Sequence, residues 1–417
     1  MMQMILAILV MRRKIRMRNK YFLTGLTCVL ALLLMYMLTN VFSKSYTSKI
    51  IKAGFVYIGD TSTAYTNNFY RAQKELEESF PDNVVTISKY NVQENDADII
   101  AALEDLVRQE CNIIFSTSYG YENHLKDFAK KHPEVQFCQA TGDNANLEPV
   151  LPNYHTFMGT IYEGRYVSGI VAGLKLQDLI NKGIVSRKHV KIGYVAAFPY
   201  AEVISGYTAF FLGVRSIIPE AIMSVIYTRT WGDYSAEKRA AEELIAEGCT
   251  IISQHSDTTG PAIACEEASV RNKKVVYHIG YNQSMTDVAP TTSLISSRIN
   301  WAPYIISACE ALLKDKKIES VVKANVHGND AGAGIQYNWV EIIGKNNLIM
   351  APDTQEVLDA TIKQLKSGKI TVFHGNYLGV NPNNPGDTWD LNTPYIENEK
   401  LSAPTFCYVL RDVITVR

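Results

Sequence analysis

Residues 190–228 read VKIGYVAAFPYAEVISGYTAFFLGVRSIIPEAIMSVIYT. Val190–Ala196 is a short apolar run and predicts a strand. Glu202–Ile218 predicts a helix, and Ile222–Thr228 predicts a second strand. A strand, a helix of that length and another strand make a βαβ unit, whose two strands lie parallel. The same alternation extends in both directions. Downstream, Ser235–Glu247 predicts a helix, Cys249–Gln254 a strand, Pro261–Arg271 a helix and Lys274–Ile279 a strand. Upstream, strands are expected at Ile51–Ile58, Asn83–Lys89, Cys111–Ser116 and Val135–Ala140. Helices are expected at Phe69–Phe80, Asp96–Glu110 and Gly120–Lys131, and another at Tyr162–Ile180 after a break at Pro152. The fold class is therefore α/β, with two consecutive doubly wound parallel sheets, lobe 1 roughly 50–155 and lobe 2 roughly 185–290, of about four strand–helix units each. Trp301–Lys314 reads as a further helix. The segment 291–417 shows no core of its own, so it is expected to cross back and complete the lobes.

The chain has 417 residues, 47% of them apolar and 20% charged, enough to bury a core. Its formal net charge of −1 provides no basic field for nucleic acid. The cysteines stand at 28, 111, 138, 249, 265, 309 and 407, without metal-ligand spacing. No metal site and no cofactor is expected. No hydrolase, metalloprotease or phosphate-loop motif occurs, so the sequence is not read as an enzyme. Gly328, Gly332 and Gly334 in HGNDAGAG lack the strand and helix of a phosphate cradle and read as a flexible turn near the cleft mouth.

Residues 1–49 stand apart from this pattern. Met11–Lys20 carries six positive charges and no acid, and Tyr21–Phe42 follows with no charge at all. A 22-residue apolar run suffices to cross a bilayer core of about 30 Å. The basic side stays in the cytoplasm, which puts the domain after residue 49 outside. Two outcomes are open, an uncleaved anchor helix at 21–42 or an export signal cut after Ser43. The length of the run favours the anchor. The expected location is the cell membrane, with the binding domain extracytoplasmic.

In open α/β sheets, ligands bind beyond the carboxyl ends of the strands. The loops there are polar and aromatic: GDTSTAYTNN (59–68), STSYGYEN (116–123), AAFPYAEV (196–203), TRTWGDYS (228–235), QHSDTTG (254–260) and GYNQSMTD (280–287). Together with YHTFMGTIYEGRYVSGIVAG (154–173), their order and spacing resemble the basic membrane protein family of substrate-binding proteins, in its purine-binding branch. The resemblance covers about residues 50–415. It implies a type I periplasmic-binding-protein-like fold of two lobes and a purine nucleobase or nucleoside held between them. It also implies permease and ATPase partners of an ABC importer.

Carried over position by position, the resemblance implies ligand contacts at Tyr65, Asn67, Asn68, Tyr119, Phe198, Trp231, Asp233, His255, Asp257 and Gly280. Phe198, Trp231 and Tyr119 offer faces for stacking. The amides and carboxylates offer donors and acceptors to a heterocycle edge. Bland readings stand beside these. Asp233 and Asp257 each precede a helix and suit a cap. Phe198 and His255 suit a packed core. Glu202 suits a helix N-terminus, and Trp301 suits hinge packing. One departure matters. After Gly280-Tyr281 the family's nucleoside binders carry an acid that holds the sugar, whereas this chain has Asn282-Gln283-Ser284 and no acid before Asp287. That favours a free base over a nucleoside. A membrane-tethered sensory receptor for a small heterocycle is the alternative reading.

Overall fold

Both halves of the alternating pattern fold into seven-stranded, mostly parallel sheets. The computed structural model describes Met11 and residues 49–417. The anchor helix expected at 21–42 lies outside the described residues. Among those described, no helix is long and apolar enough to cross a membrane.

The first lobe runs β1 (Ile51–Val56), α1 (Ala64–Ser79), β2 (Val84–Lys89), α2 (Asp96–Arg108), β3 (Ile113–Ser116), α3 (Glu122–Lys131), β4 (Gln136–Ala140) and β5 (Tyr154–Gly159). Its sheet has the order β2-β1-β3-β4-β5, all parallel. Helix α4 (Ile161–Asn181) leads into the second lobe. There follow β6 (Lys191–Ala196), α5 (Ala201–Arg215), β7 (Ile222–Tyr227), α6 (Tyr234–Ala246), β8 (Ile251–His255), α7 (Gly260–Asn272), β9 (Tyr277–Tyr281) and β10 (Ser293–Ile299). The order β7-β6-β8-β9-β10 repeats that of the first lobe.

Each lobe thus has five strands of this pattern. The two that the sequence pattern does not reveal are β5 and β10. In β10, Ser293, Ser296 and Ser297 are fully buried, and β5 buries His155 and Thr156. These polar residues break the apolar run that marks a buried strand. Helix α3 starts two residues later than the pattern suggests, because Tyr119–Tyr121 forms a 3-10 turn.

The remaining chain returns to both lobes. Helix α8 (Ala302–Leu313) packs on α1. Strands β11 (Asn325–His327) and β12 (Asp330–Ala333) form a hairpin that joins the first sheet through β5. Of the stretch expected to be a flexible turn, Gly328 stands at the tip of that hairpin, whereas Gly332 lies inside the buried strand β12, paired with Met158. Strand β13 (Val340–Ile343) pairs antiparallel with β10 in the second lobe. Helix α9 (Thr354–Lys366) packs on α4. A small antiparallel sheet of β14 (Leu378–Asn381), β15 (Asn384–Asp390) and β16 (Val409–Leu410) follows, and β17 (Ile414–Val416) adds a parallel edge beside β7. The chain therefore passes between the sheets three times, at 159–161, 299–301 and 333–340. These passages bond to one another: Thr160 N donates to Ala333 O at 2.9 Å and Asn300 N to Trp339 O at 2.8 Å. Trp301 is buried here, stacked on Phe69 with ring centroids 4.3 Å apart.

One continuous core joins α1, α4, α5 and α8 across both lobes. Separate cores lie on the outer face of each sheet, under α2 and α3 in the first lobe and α6 and α7 in the second. The six described cysteines are unpaired, and five are buried small hydrophobes. Helices α4 and α5 cross at Gly169 and Gly213. A Cβ on Gly169 would lie 2.0 Å from Phe210 O, and one on Gly213 would lie 2.2 Å from Tyr166 O. Both are backbone contacts that cannot swing aside. Gly213→Ala is expected to destabilise the protein by about 1–3 kcal/mol. Urea unfolding of wild type and variant measures this, and equal midpoints would contradict the close crossing.

Candidate ligand-binding cleft

The carboxyl ends of the two parallel sheets face one another, and the lobes touch there. Asn68, on α1, donates through Nδ2 to the carbonyl oxygen of Asn282 at 3.0 Å. Asn282 follows β9 and has φ 62°, a left-handed conformation that Asn tolerates better than most residues. Its own Nδ2 donates to Asp257 Oδ1 at 2.9 Å. The chain of contacts Asn68–Asn282–Asp257 therefore connects lobe 1 to the loop after β8. Arg298 flanks it, paired with Glu341 at 2.7 Å and with Nη1 3.5 Å from Asn68 Oδ1.

Asp257 is part-buried and faces more acid than base. Burial pushes its carboxyl up to about 7, with Glu237 and Glu202 raising it further and the Asn282 bond opposing them. It does not cap α7. The helix begins after Thr259, and Glu237 organises the loop instead. Its Oε2 accepts from Ser256 Oγ, Thr258 N and Thr258 Oγ1. Burial still pushes Glu237 up to about 7. Glu202 sits in the first turn of α5, where a carboxylate suits the helix dipole. Its Oε1 lies 3.4 Å from His255 Nε2. His255 is fully buried against Tyr281, with ring centroids 4.3 Å apart, and burial holds its pKa down.

From lobe 1, Tyr65 reaches toward these acids. Its hydroxyl donates to Thr117 O at 2.6 Å, which fixes the loop after β3. Burial raises its pKa, and Glu202 and Asp257 add to the effect. Asn67 is part-buried one position before Asn68, and its side-chain amide makes no hydrogen bond among the described residues. Aromatic rings form the lip. Phe198 stacks on Tyr200 at 5.2 Å and lies 5.4 Å from Trp231. Tyr200, Trp231 and Tyr119 are all exposed. Tyr200 is close enough to act on the Tyr119 hydroxyl from the opposite lobe.

The structure thus brings Tyr65, Asn68, His255 and Asp257 together, with Phe198, Trp231 and Tyr119 at the rim. Two expected contacts serve other purposes. Asp233 is exposed and caps α6, accepting from Ala236 N at 2.9 Å. Gly280 is buried inside β9, where a Cβ would meet Ser296 Oγ at 2.1 Å, and its carbonyl accepts from Arg165. Tyr281, Asn282, Tyr200 and Arg298 join the cleft without having been singled out. Asn282 was legible only as the residue that replaces an acid.

Two lobes hinged on three passages, with polar and aromatic groups converging between them, define a protein that encloses a small solute. The chain belongs to the Bmp family: the model for the PnrA-like substrate-binding proteins of ABC transporters matches residues 51–372. It is 31% identical over 326 residues to a purine-binding protein of Brucella abortus, covering 78% of this chain and 83% of that one. It is 29% identical over 331 residues to a putative ABC transporter glucose-binding protein of Haloferax volcanii, covering 78% and 75%. A solute-binding protein of an ABC transporter from Conexibacter woesei shares the fold, with a TM-score of 0.59 at 16% identity over 77% of this chain and 97% of its own.

Capping at Asp233 has a measurable consequence. Asp233→Ala is expected to lose about 1 kcal/mol of stability and Asp233→Asn almost none, because Asn caps as well as Asp. Chemical denaturation reads the difference, and an Asn variant as weak as the Ala variant would contradict the cap.

Proposed function

We propose that this protein captures a purine base between its lobes, outside the cytoplasm, and passes it to the permease and ATPase subunits of an ABC importer. The observation that carries this reading is the set of acids and rings on the facing loops: Asp257 bonded to Asn282, Glu202 beside His255, and the cluster of Phe198, Tyr200 and Trp231. A purine presents flat faces and an edge that carries N–H donors beside ring-nitrogen acceptors. Aromatic rings suit the first, and stacking on one contributes roughly 1–3 kcal/mol. A carboxylate suits the second, because an ionised acid only accepts. The purine-binding relative at 31% identity supports the same class.

A free base is preferred over a nucleoside. The position after Tyr281 holds Asn282, whose side chain already bonds to Asp257 and whose carbonyl bonds to Asn68. No carboxylate stands there for a ribose diol. Phe198, Trp231, Tyr119, Tyr65, Asn67, Asn68, His255 and Asp257 are the proposed ligand-facing residues. Closure is a hinge motion about the three passages, and Asn68 meets Asn282 only when the lobes come together.

Two measurements test this. Calorimetric titration of the chain with adenine, guanine, hypoxanthine, their nucleosides and glucose is expected to give heat with a base and none with glucose. Binding of glucose alone would overturn the purine reading. The second concerns Asp257, whose carboxyl burial pushes up to about 7. A ligand N–H that donates to the carboxylate binds its ionised form, so binding releases a proton at pH 6. Affinity is expected to fall about tenfold for each pH unit below about 7 and to level off above it. An affinity that rises on acidification would mean that Asp257 donates instead.

A further inference from the structure

We infer that Arg165 is a positioning residue that couples the passage between the lobes to the ligand-facing ends of β8, β9 and β10. It lies in the second turn of α4, a few residues beyond the first passage at 159–161. Its side chain is fully buried, and no carboxylate lies within ion-pair distance of it among the described residues. A charge so placed is expensive unless its donors are satisfied. Here the two terminal nitrogens of the guanidinium make four hydrogen bonds to three neighbouring strands, while Nε has no hydrogen-bond partner among the described residues. Nη1 donates to Gly280 O at 2.9 Å and to Ser297 Oγ at 3.3 Å. Nη2 donates to Ser253 Oγ at 2.5 Å and to Gln254 O at 3.1 Å.

The positions of those acceptors give the bonds their meaning. Gln254 and Gly280 immediately precede His255 and Tyr281, the last residues of β8 and β9. Asp257 and Asn282 follow within two residues. Ser297 lies two residues before Ile299, where the second passage begins. One planar cation therefore holds the bases of two cleft loops and stands within a few residues of two of the three passages. It also backs the cleft wall, with its guanidinium carbon 5.6 Å from the Tyr281 ring centroid and 5.5 Å from that of Tyr194. Gly206 leaves room for this arrangement, since a Cβ there would meet His255 Nδ1 at 2.6 Å. A change in α4 on closure is transmitted to the carbonyls that orient His255, Asp257, Tyr281 and Asn282.

Lysine distinguishes positioning from mere presence of charge. Arg165→Lys keeps the cation but lacks the fork that reaches both carbonyls. The test compares wild type, Arg165→Lys and Arg165→Met as full chains in detergent by hydrogen exchange, without ligand. Exchange at 254–258 and 280–283 is expected to rise about tenfold or more in the Lys variant while β1 and β3 stay protected as in wild type. If the Met variant does not fold, the Lys variant still decides. Wild-type exchange at both loops, or a rise spread evenly over both lobes, would overturn the proposal. A second arm rests on the purine reading: in the Lys variant, the base that the wild type binds is expected to bind about tenfold more weakly. Because the exchange arm uses no ligand, its failure is separate from a failure of that reading.

Discussion

Everything in this molecule depends on three passages of backbone that are bonded to one another. Thr160 meets Ala333, and Asn300 meets Trp339, so the strands that leave one sheet and enter the other form a single seam. The seam is packed as tightly as a core. A Cβ on Gly159 would lie 2.7 Å from Ile299 Cγ2, and one on Gly164 would lie 2.8 Å from Val340 Cγ1. Trp301 stacks on Phe69 beside it and ties α8 to α1. Two lobes joined this way cannot slide apart without breaking the seam. Their carboxyl ends, where an open α/β sheet presents its loops, are therefore held opposite each other.

The contents of the cleft follow from that constraint. Lobe 1 contributes Tyr65 and Asn68, and lobe 2 contributes Glu202, His255, Asp257 and Asn282. Arg165 is buried behind Tyr281, and Arg298 is already paired with Glu341. On the proposed reading, the acids and amides among these groups accept from the N–H donors of a neutral heterocycle. Burial pushes the Asp257 carboxyl up to about 7, so the proposed contact would make capture sensitive to pH near neutrality.

Much of the fold was legible because its strands and helices alternate with clear periodicity. The sheets at 51–56, 113–116, 191–196 and 251–255 announce themselves as apolar runs. Strands β5 and β10 do not, since buried His, Thr and Ser satisfy their polar groups inside the protein and erase the pattern. The site was legible as a set of loops more than as a set of contacts. Sequence spacing finds a loop but cannot tell which way a side chain points. Asp233 and Asp257 occupy similar places before helices, yet one caps and the other accepts from Asn282. Arg165 sat unread within RYVSG, because an arginine in an apolar helix carries no local sign of the three strands it bonds.

The central claim is that the cleft holds a purine base. The most direct measurement is mass spectrometry of the small molecules released when the freshly purified chain is heat-denatured. The account predicts a free purine base near one equivalent per chain. A sugar at that stoichiometry, with no purine present, would contradict it.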